Sequence, residues 1–189
     1  LQFVADRLLE STLRTGTADN DVNAINNMGM LPEGYVVNNF LTDPDAFFIK
    51  TDTPNGFKHF EGKYKSGKLN GQWQSWYANG NIQETGDYVM NLMDGEWSFW
   101  DSIGQLIESG RYEYGRPKGE HTGWYRSGKL KWRVNYESGK RHGPYSSWFE
   151  NGQVEMSGGY IEGKKDGIWN HWLKDGSIKD QKVYSLKKL

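Results

Sequence analysis

Tyr64, Tyr88, Tyr112, Tyr136, Tyr160 and Tyr184 recur at an unbroken spacing of 24 residues. A fixed period of that size constrains the fold more than any single motif does, because each copy must bury its apolar face against its neighbours. Each interval carries the same punctuation. Gly recurs at Gly71, Gly95, Gly119, Gly143 and Gly167, and again at Gly80, Gly104, Gly128, Gly152 and Gly176. Trp recurs at Trp76, Trp100, Trp124, Trp148 and Trp172, and three residues earlier a second row reads Trp73, Trp97, His121, Tyr145 and Trp169. An aliphatic row follows (Ile82, Leu106, Leu130, Val154, Ile178), then a looser one (Gly86, Gly110, Val134, Gly158, Lys182). Five repeats thus start at residues 64, 88, 112, 136 and 160, and Asn55-Gly56, Gly62 and Tyr64 resemble the second half of a decayed sixth, the half repeat 56–63.

Two turn signals and two short runs per repeat predict two β-strands. A helix is disfavoured, since each Gly in a helix interior costs roughly 1 kcal/mol. The expected product is a mainly β fold: an elongated, single-layer antiparallel meander of about ten strands, roughly 50 Å long at ~4.8 Å per strand. One turn in each repeat holds Gly67, Asn91, Gly115, Gly139 or Gly163, where a positive φ is expected. The other ends in Gly80 and its copies. A two-residue type I′ turn there would force Ile103 to a positive φ, which β-branched residues resist. A three-residue loop closed by Gly in a G1 bulge avoids this and pairs Trp76 with Ile82. With that register the expected core face holds Trp76, Ile82, Gly86, Tyr88 and their copies. The expected opposite face mixes Trp73, Trp97, Phe99, Tyr125, Tyr145, Phe149 and Trp169 with polar residues such as Gln83, Arg111 and Lys131.

Composition sharpens the reading. Nine Trp, eleven Tyr and eight Phe must carry the burial, because aliphatic residues are scarce, while 23 basic residues nearly balance 24 acidic ones and remove the charge signature of disorder. All nine Trp lie beyond residue 55. Before it, Asp6, Glu10, Asp19, Asp21, Glu33, Asp43, Asp45 and Asp52 face only Arg7, Arg14 and Lys50, so an acidic segment 1–55 is expected to pack on a repeat domain 56–189. The small positive excess of the second part lacks the dense basic stripe of a nucleic-acid binder. No apolar run is long enough for a membrane-spanning helix. Absence of Cys excludes disulfides and thiolate chemistry but suits cytoplasmic and exported proteins alike. Leu1 is not an initiator residue, so the native start is expected elsewhere, in a removed signal sequence or a longer parent.

The pattern Gly-x-Tyr-x-x-Gly/Asn-x-x-x-Gly-x-Trp-x-x-Trp-x-x-x-Gly-x-Ile/Leu, as in Gly86 to Leu106, resembles the MORN repeat variant, the kind found in bacterial YwqK-type antitoxin-like proteins. The resemblance covers residues 56–184 and implies an elongated β-hairpin array that binds partners and has no catalytic residues. Val134 and Lys182 depart from it where Gly is expected, and His121 where Trp is expected.

Other signals are weak. Leu1, Val4, Leu8, Leu9 and Leu13 at helical spacing predict a short N-terminal helix that covers the sheet. Asp19-x-Asp21-x-Asn23 opens like a calcium loop, but Ala24 and Met30 stand where Gly and Glu are required. Glu84 and Glu108, two strands apart, match the spacing of inverting glycosidases only as repeat equivalents with no cleft. The four His are scattered. No enzyme activity, metal or cofactor is expected. The leading expectation is a non-enzymatic interaction module that holds another protein, a toxin in the antitoxin-like case, through Trp73, Trp97, Phe99, Tyr125, Tyr145, Phe149 and Trp169. The alternative is a carbohydrate- or choline-type cell-wall binder, because aromatic rows also build cages for cations.

Overall fold

The computed structural model describes residues 35–39, 46–52, 58–66 and 68–185. The helix expected near the N-terminus lies outside them. Among the described residues every regular element is a β-strand. The chain divides into two compact units, Leu1–Leu92 and Met93–Leu189. The first holds β1 (Tyr35–Asn39), β2 (Ala46–Asp52), β3 (Lys58–Lys65), β4 (Lys68–Trp76) and β5 (Ile82–Val89). The second begins at the second residue of β6 (Leu92–Trp100) and holds β7 (Leu106–Glu113), β8 (Arg116–Trp124), β9 (Leu130–Glu137), β10 (Lys140–Trp148), β11 (Val154–Ile161), β12 (Lys164–Trp172) and β13 (Ile178–Tyr184). Within each unit the strands run antiparallel in sequence order, as a meander does. β1 and β2 precede the repeats, and β2 pairs with β3 from Ala46↔Lys65 to Asp52↔Lys58, so regular pairing crosses the compositional boundary near residue 55.

The turns alternate between two chemistries. At one end of each repeat a three-residue loop forms as the Ile103 argument requires: Gly80 N donates to Tyr77 O at 2.9 Å, Tyr77 N donates to Asn81 O at 2.8 Å, and Gly80 has φ +87°. The same bonds recur at Gly104, Gly128, Gly152 and Gly176. Trp76 accordingly pairs with Ile82, and Trp148 with Val154. At the other end the turn is type I′, with positive φ at both central residues: Met90 and Asn91, Tyr114 and Gly115, Ser138 and Gly139, Glu162 and Gly163. The side chain before each Gly or Asn is thus held in the left-handed region, which the sequence pattern did not reveal.

The face assignment needs correction. Immediately before each three-residue turn the register slips: Ser75 pairs with Glu84 while Trp76 pairs with Ile82, leaving Gln83 as the extra residue of a β-bulge. Ile107, Lys131, Glu155 and Lys179 are the extra residues in the later repeats. One inserted residue inverts the facing of everything beyond it. Trp73 therefore pairs directly with Gly86 and shares its face with Tyr88, with ring centroids 5.7 Å apart. The row expected on the open face is the buried one: Trp97 is 1% exposed, Trp169 0% and His121 2%. The row expected in the core, Trp76, Trp100, Trp124, Trp148 and Trp172, is half-buried, and Ile178 opposite Trp172 is 73% exposed.

Glycine creates the seats for the buried rings. A Cβ on Gly62 would come within 2.6 Å of Trp73, and one on Gly110 or Gly158 would fall within 3.0 Å of the His121 or Trp169 ring. Where the row carries Val134, the ring opposite shrinks to Tyr145. The exchange is reciprocal at Gly123, over which Trp132 lies.

Candidate binding surface

The seven aromatic residues expected to form one contact face separate into two groups. Trp73, Trp97, Tyr145 and Trp169 belong to the ring-packed row. Trp73 stacks on Phe60 at 5.1 Å, Tyr145 stacks on Trp169 at 5.5 Å, and Phe99 lies against Trp97 at 5.9 Å. Trp169 Nε1 donates to Gly159 O at 3.0 Å, and Trp73 Nε1 donates to a Glu84 carboxylate oxygen at 2.8 Å. Trp73 and Trp169 are held in the fold, since their indole N–H groups are satisfied internally and neighbouring rings pack on them. Burial raises the Tyr88 phenol to about 12, with the Glu84 charge as a second cause, and burial likewise raises Tyr112 and Tyr145.

Tyr125 and Phe149 belong elsewhere. Each is the residue just before a three-residue turn and closes it through its backbone, the position taken by Leu173 in the next hairpin. Both are half-buried, and Leu173 is 44% exposed. Tyr125 Oη donates to Trp148 O at 2.7 Å and so ties successive hairpins together along this edge. Lys131 Nζ lies 5.5 Å from the Tyr125 ring centroid, and Lys174 Nζ lies 6.0 Å from that of Phe149. The Arg126 guanidinium pairs with Asp101 at 3.5 Å. Ile103, at the tip of its turn, and Ile178, the first residue of β13, are exposed. The turn edge of the second unit thus carries apolar side chains at intervals, with Arg126, Lys131 and Lys174 and the acidic Asp101, Glu150 and Asp175 between them. Leu173, Ile103 and Ile178 escaped the sequence reading. Their exposure follows from position at the turn, which residue type along the rows does not report.

Chemistry beyond binding finds little support. His121 is buried between the edges of Tyr112 and Tyr136, at 5.1 and 4.9 Å, with Nε2 2.9 Å from Arg111 O. It is a satisfied core residue. His171 and Asp180 stand opposite each other on β12 and β13 and hydrogen-bond, which holds the Asp180 carboxyl below its usual range. A single such pair orients a proton but offers no nucleophile or oxyanion donors. Among the described residues no group of three or more His, Asp or Glu is placed to hold a metal ion, and no helix is long and apolar enough to cross a membrane.

The stretches 69–90 and 141–161 match the family described as the MORN repeat variant. Each runs from the second residue of a strand, through the three-residue turn, into the strand that follows. Two of the hairpins thus match the MORN repeat variant. MORN repeats are a non-enzymatic repeat type that commonly serves protein or membrane binding. No curated protein matches the chain. Among solved structures, a mutant of S. aureus TarM in complex with Fondaparinux, alpha-GlcNAc-glycerol and UDP is similar at 10% identity and a TM-score of 0.31, over 86% of this chain and 27% of that one. A second TarM structure gives 11%, 0.31, 86% and 26%, and the GtfA/B complex bound to UDP and GlcNAc gives 11%, 0.21, 82% and 24%. The chain spans about a quarter of each, and likeness at those scores carries no argument about activity.

Proposed function

We propose that this protein is a non-enzymatic binding module whose MORN hairpins present their three-residue-turn edge to a partner protein. The observation that carries the reading is the division of the aromatic residues. The Trp73 row is consumed by internal packing, whereas Tyr125, Phe149 and Leu173 repeat along an edge that stays accessible, at ~10 Å per hairpin because successive copies are two strands apart. Aromatic side chains that lose little entropy on burial make efficient anchors, and an evenly spaced row suits an extended protein edge better than a compact small molecule. The finer reading, a partner of the toxin or immunity-target kind, draws on the family resemblance.

The test is capture from lysate beside a glycan panel, using the wild type and a Tyr125→Ala/Phe149→Ala double variant. Binding energy concentrates in two or three adjacent anchors. The double variant should therefore lose the captured protein; losing the Tyr125–Trp148 bond lowers its thermal midpoint, so circular dichroism at the assay temperature checks that it is still folded. Retention of the protein by the double variant, or capture by glycans alone, refutes the proposal.

A further inference from the structure

The ring-packed face carries a repeated device. In each of four repeats a ring of the Trp73 row meets a Tyr close to a right angle: Trp73 with Tyr88 at 85°, His121 with Tyr136 at 65°, Tyr145 with Tyr160 at 88°, and Trp169 with Tyr184 at 77°. Two faces at right angles form a corner. The residue one turn earlier in the repeat reads Leu69, Met93, Pro117, Arg141 and Lys165. Leu69 is buried beside Trp73 above Gly62. Late in the chain the same position becomes cationic. The Arg141 guanidinium lies 5.3 Å from the Tyr160 centroid and donates to its Oη at 3.3 Å. Lys165 Nζ lies 3.9 Å from the Trp169 centroid and 5.4 Å from that of Tyr184.

The last corner is the most complete. Trp169 is fully buried, with Tyr145 stacked on it and Tyr160 edge-on at 5.0 Å, and the half-buried Lys165 lays its ammonium on the ring within cation–π range. Among the described residues no carboxylate forms an ion pair with Lys165, so the rings themselves hold the charge. Lys165 is carried on a flexible stem two residues past a type I′ turn, and its head can leave for water at small cost.

We propose that the Trp169–Tyr184 corner is a binding site for an organic ammonium ion, and that Lys165 is the internal occupant that such a guest displaces. The site is separate from the turn edge and independent of the protein partner.

The probes are choline, its uncharged isostere 3,3-dimethylbutan-1-ol, and a short peptide bearing one trimethyl-lysine, titrated into the full chain and its Lys165→Ala variant with tryptophan fluorescence as the readout. Removing the internal competitor should tighten choline about tenfold, with little response to the neutral isostere. Tightening for choline marks a free ion as the guest, and tightening for the peptide alone marks a chain-borne one. Equal response to choline and its neutral isostere, or equal affinity in wild type and variant, overturns the proposal. Should Lys165→Ala fail to fold, carbon–proton spectra of the wild type decide. The Lys165 Cε resonance, shifted upfield by the rings, should move toward its ordinary value as choline is added, and a resonance that does not move shows the ammonium to be structural.

Discussion

Neighbouring glycines on β11 isolate the packing argument. Neither Gly158 nor Gly159 has a positive φ, so backbone conformation does not separate them. A Cβ on Gly158 would enter the Trp169 ring, whereas on Gly159 it would meet only Asp166 O at 3.7 Å and Gly143 O at 3.8 Å, ordinary contacts. The Trp169 ring cannot yield freely, because Tyr145, Tyr160, Tyr184 and Lys165 wall it in and its indole N–H is bonded to Gly159 O. Overpacking of this kind costs about 1–3 kcal/mol, and Gly158→Ala should sit at the upper end. Gly159→Ala keeps the carbonyl acceptor and restricts the unfolded chain, so it should be neutral or stabilise by about 0.4–1 kcal/mol. Urea denaturation followed by circular dichroism compares the two midpoints without assuming that a repeat array unfolds in one step. A Gly158→Ala midpoint equal to or above that of Gly159→Ala would refute the ring-seat account.

Three further outcomes follow from the same geometry. Trp97→Ala should destabilise by about 3–5 kcal/mol, and Trp124→Ala, from the half-buried row, clearly less; denaturation midpoints check the ranking. Tyr114, 65% exposed at φ +48°, gains nothing from packing to offset its backbone, so Tyr114→Asn should create a favoured Asn-Gly type I′ turn and raise the thermal midpoint. Because burial raises the Tyr88 phenol from 10.0 to about 12, the fold favours its neutral form. That contribution is whole below pH 10 and declines as pH climbs toward about 12. Tyrosinate absorbance should show a late-titrating component that Tyr88→Phe reduces by one tyrosine, and an unchanged titration curve would count against it.

Much of this architecture is legible in the sequence because single residues dictate it. The spacing from Tyr64 to Tyr184 gives the hairpin period, and Ile103 before Gly104 selects the three-residue turn, since its alternative would strain a β-branched backbone. The bulge is different. Its extra residues, Gln83, Ile107, Lys131, Glu155 and Lys179, share no chemistry, so nothing in the row marks the slip that inverts the faces. His121 is equally silent in the sequence: the one polar residue of the Trp73 row, it is buried with its Nε2 matched to a backbone carbonyl. One signal was available: the repeat in which Gly becomes Val134 is followed by the one in which Trp becomes Tyr145, and that exchange of volume betrays a direct contact. β1 and β2 lie outside the period and could not be read from it.

Hydroxyl-radical footprinting with residue-level mass spectrometry tests the central claim, that the Trp73 row is core and the turn edge is surface. Side-chain oxidation follows solvent access. Trp97 and Trp169 should be protected in the folded chain, while Tyr114 and Leu173 react readily and Trp124 and Trp148 fall between. Oxidation of Trp97 and Trp169 at the rate of Tyr114, with protection of Trp124 and Trp148, would contradict the account and restore the opposite assignment of the two faces.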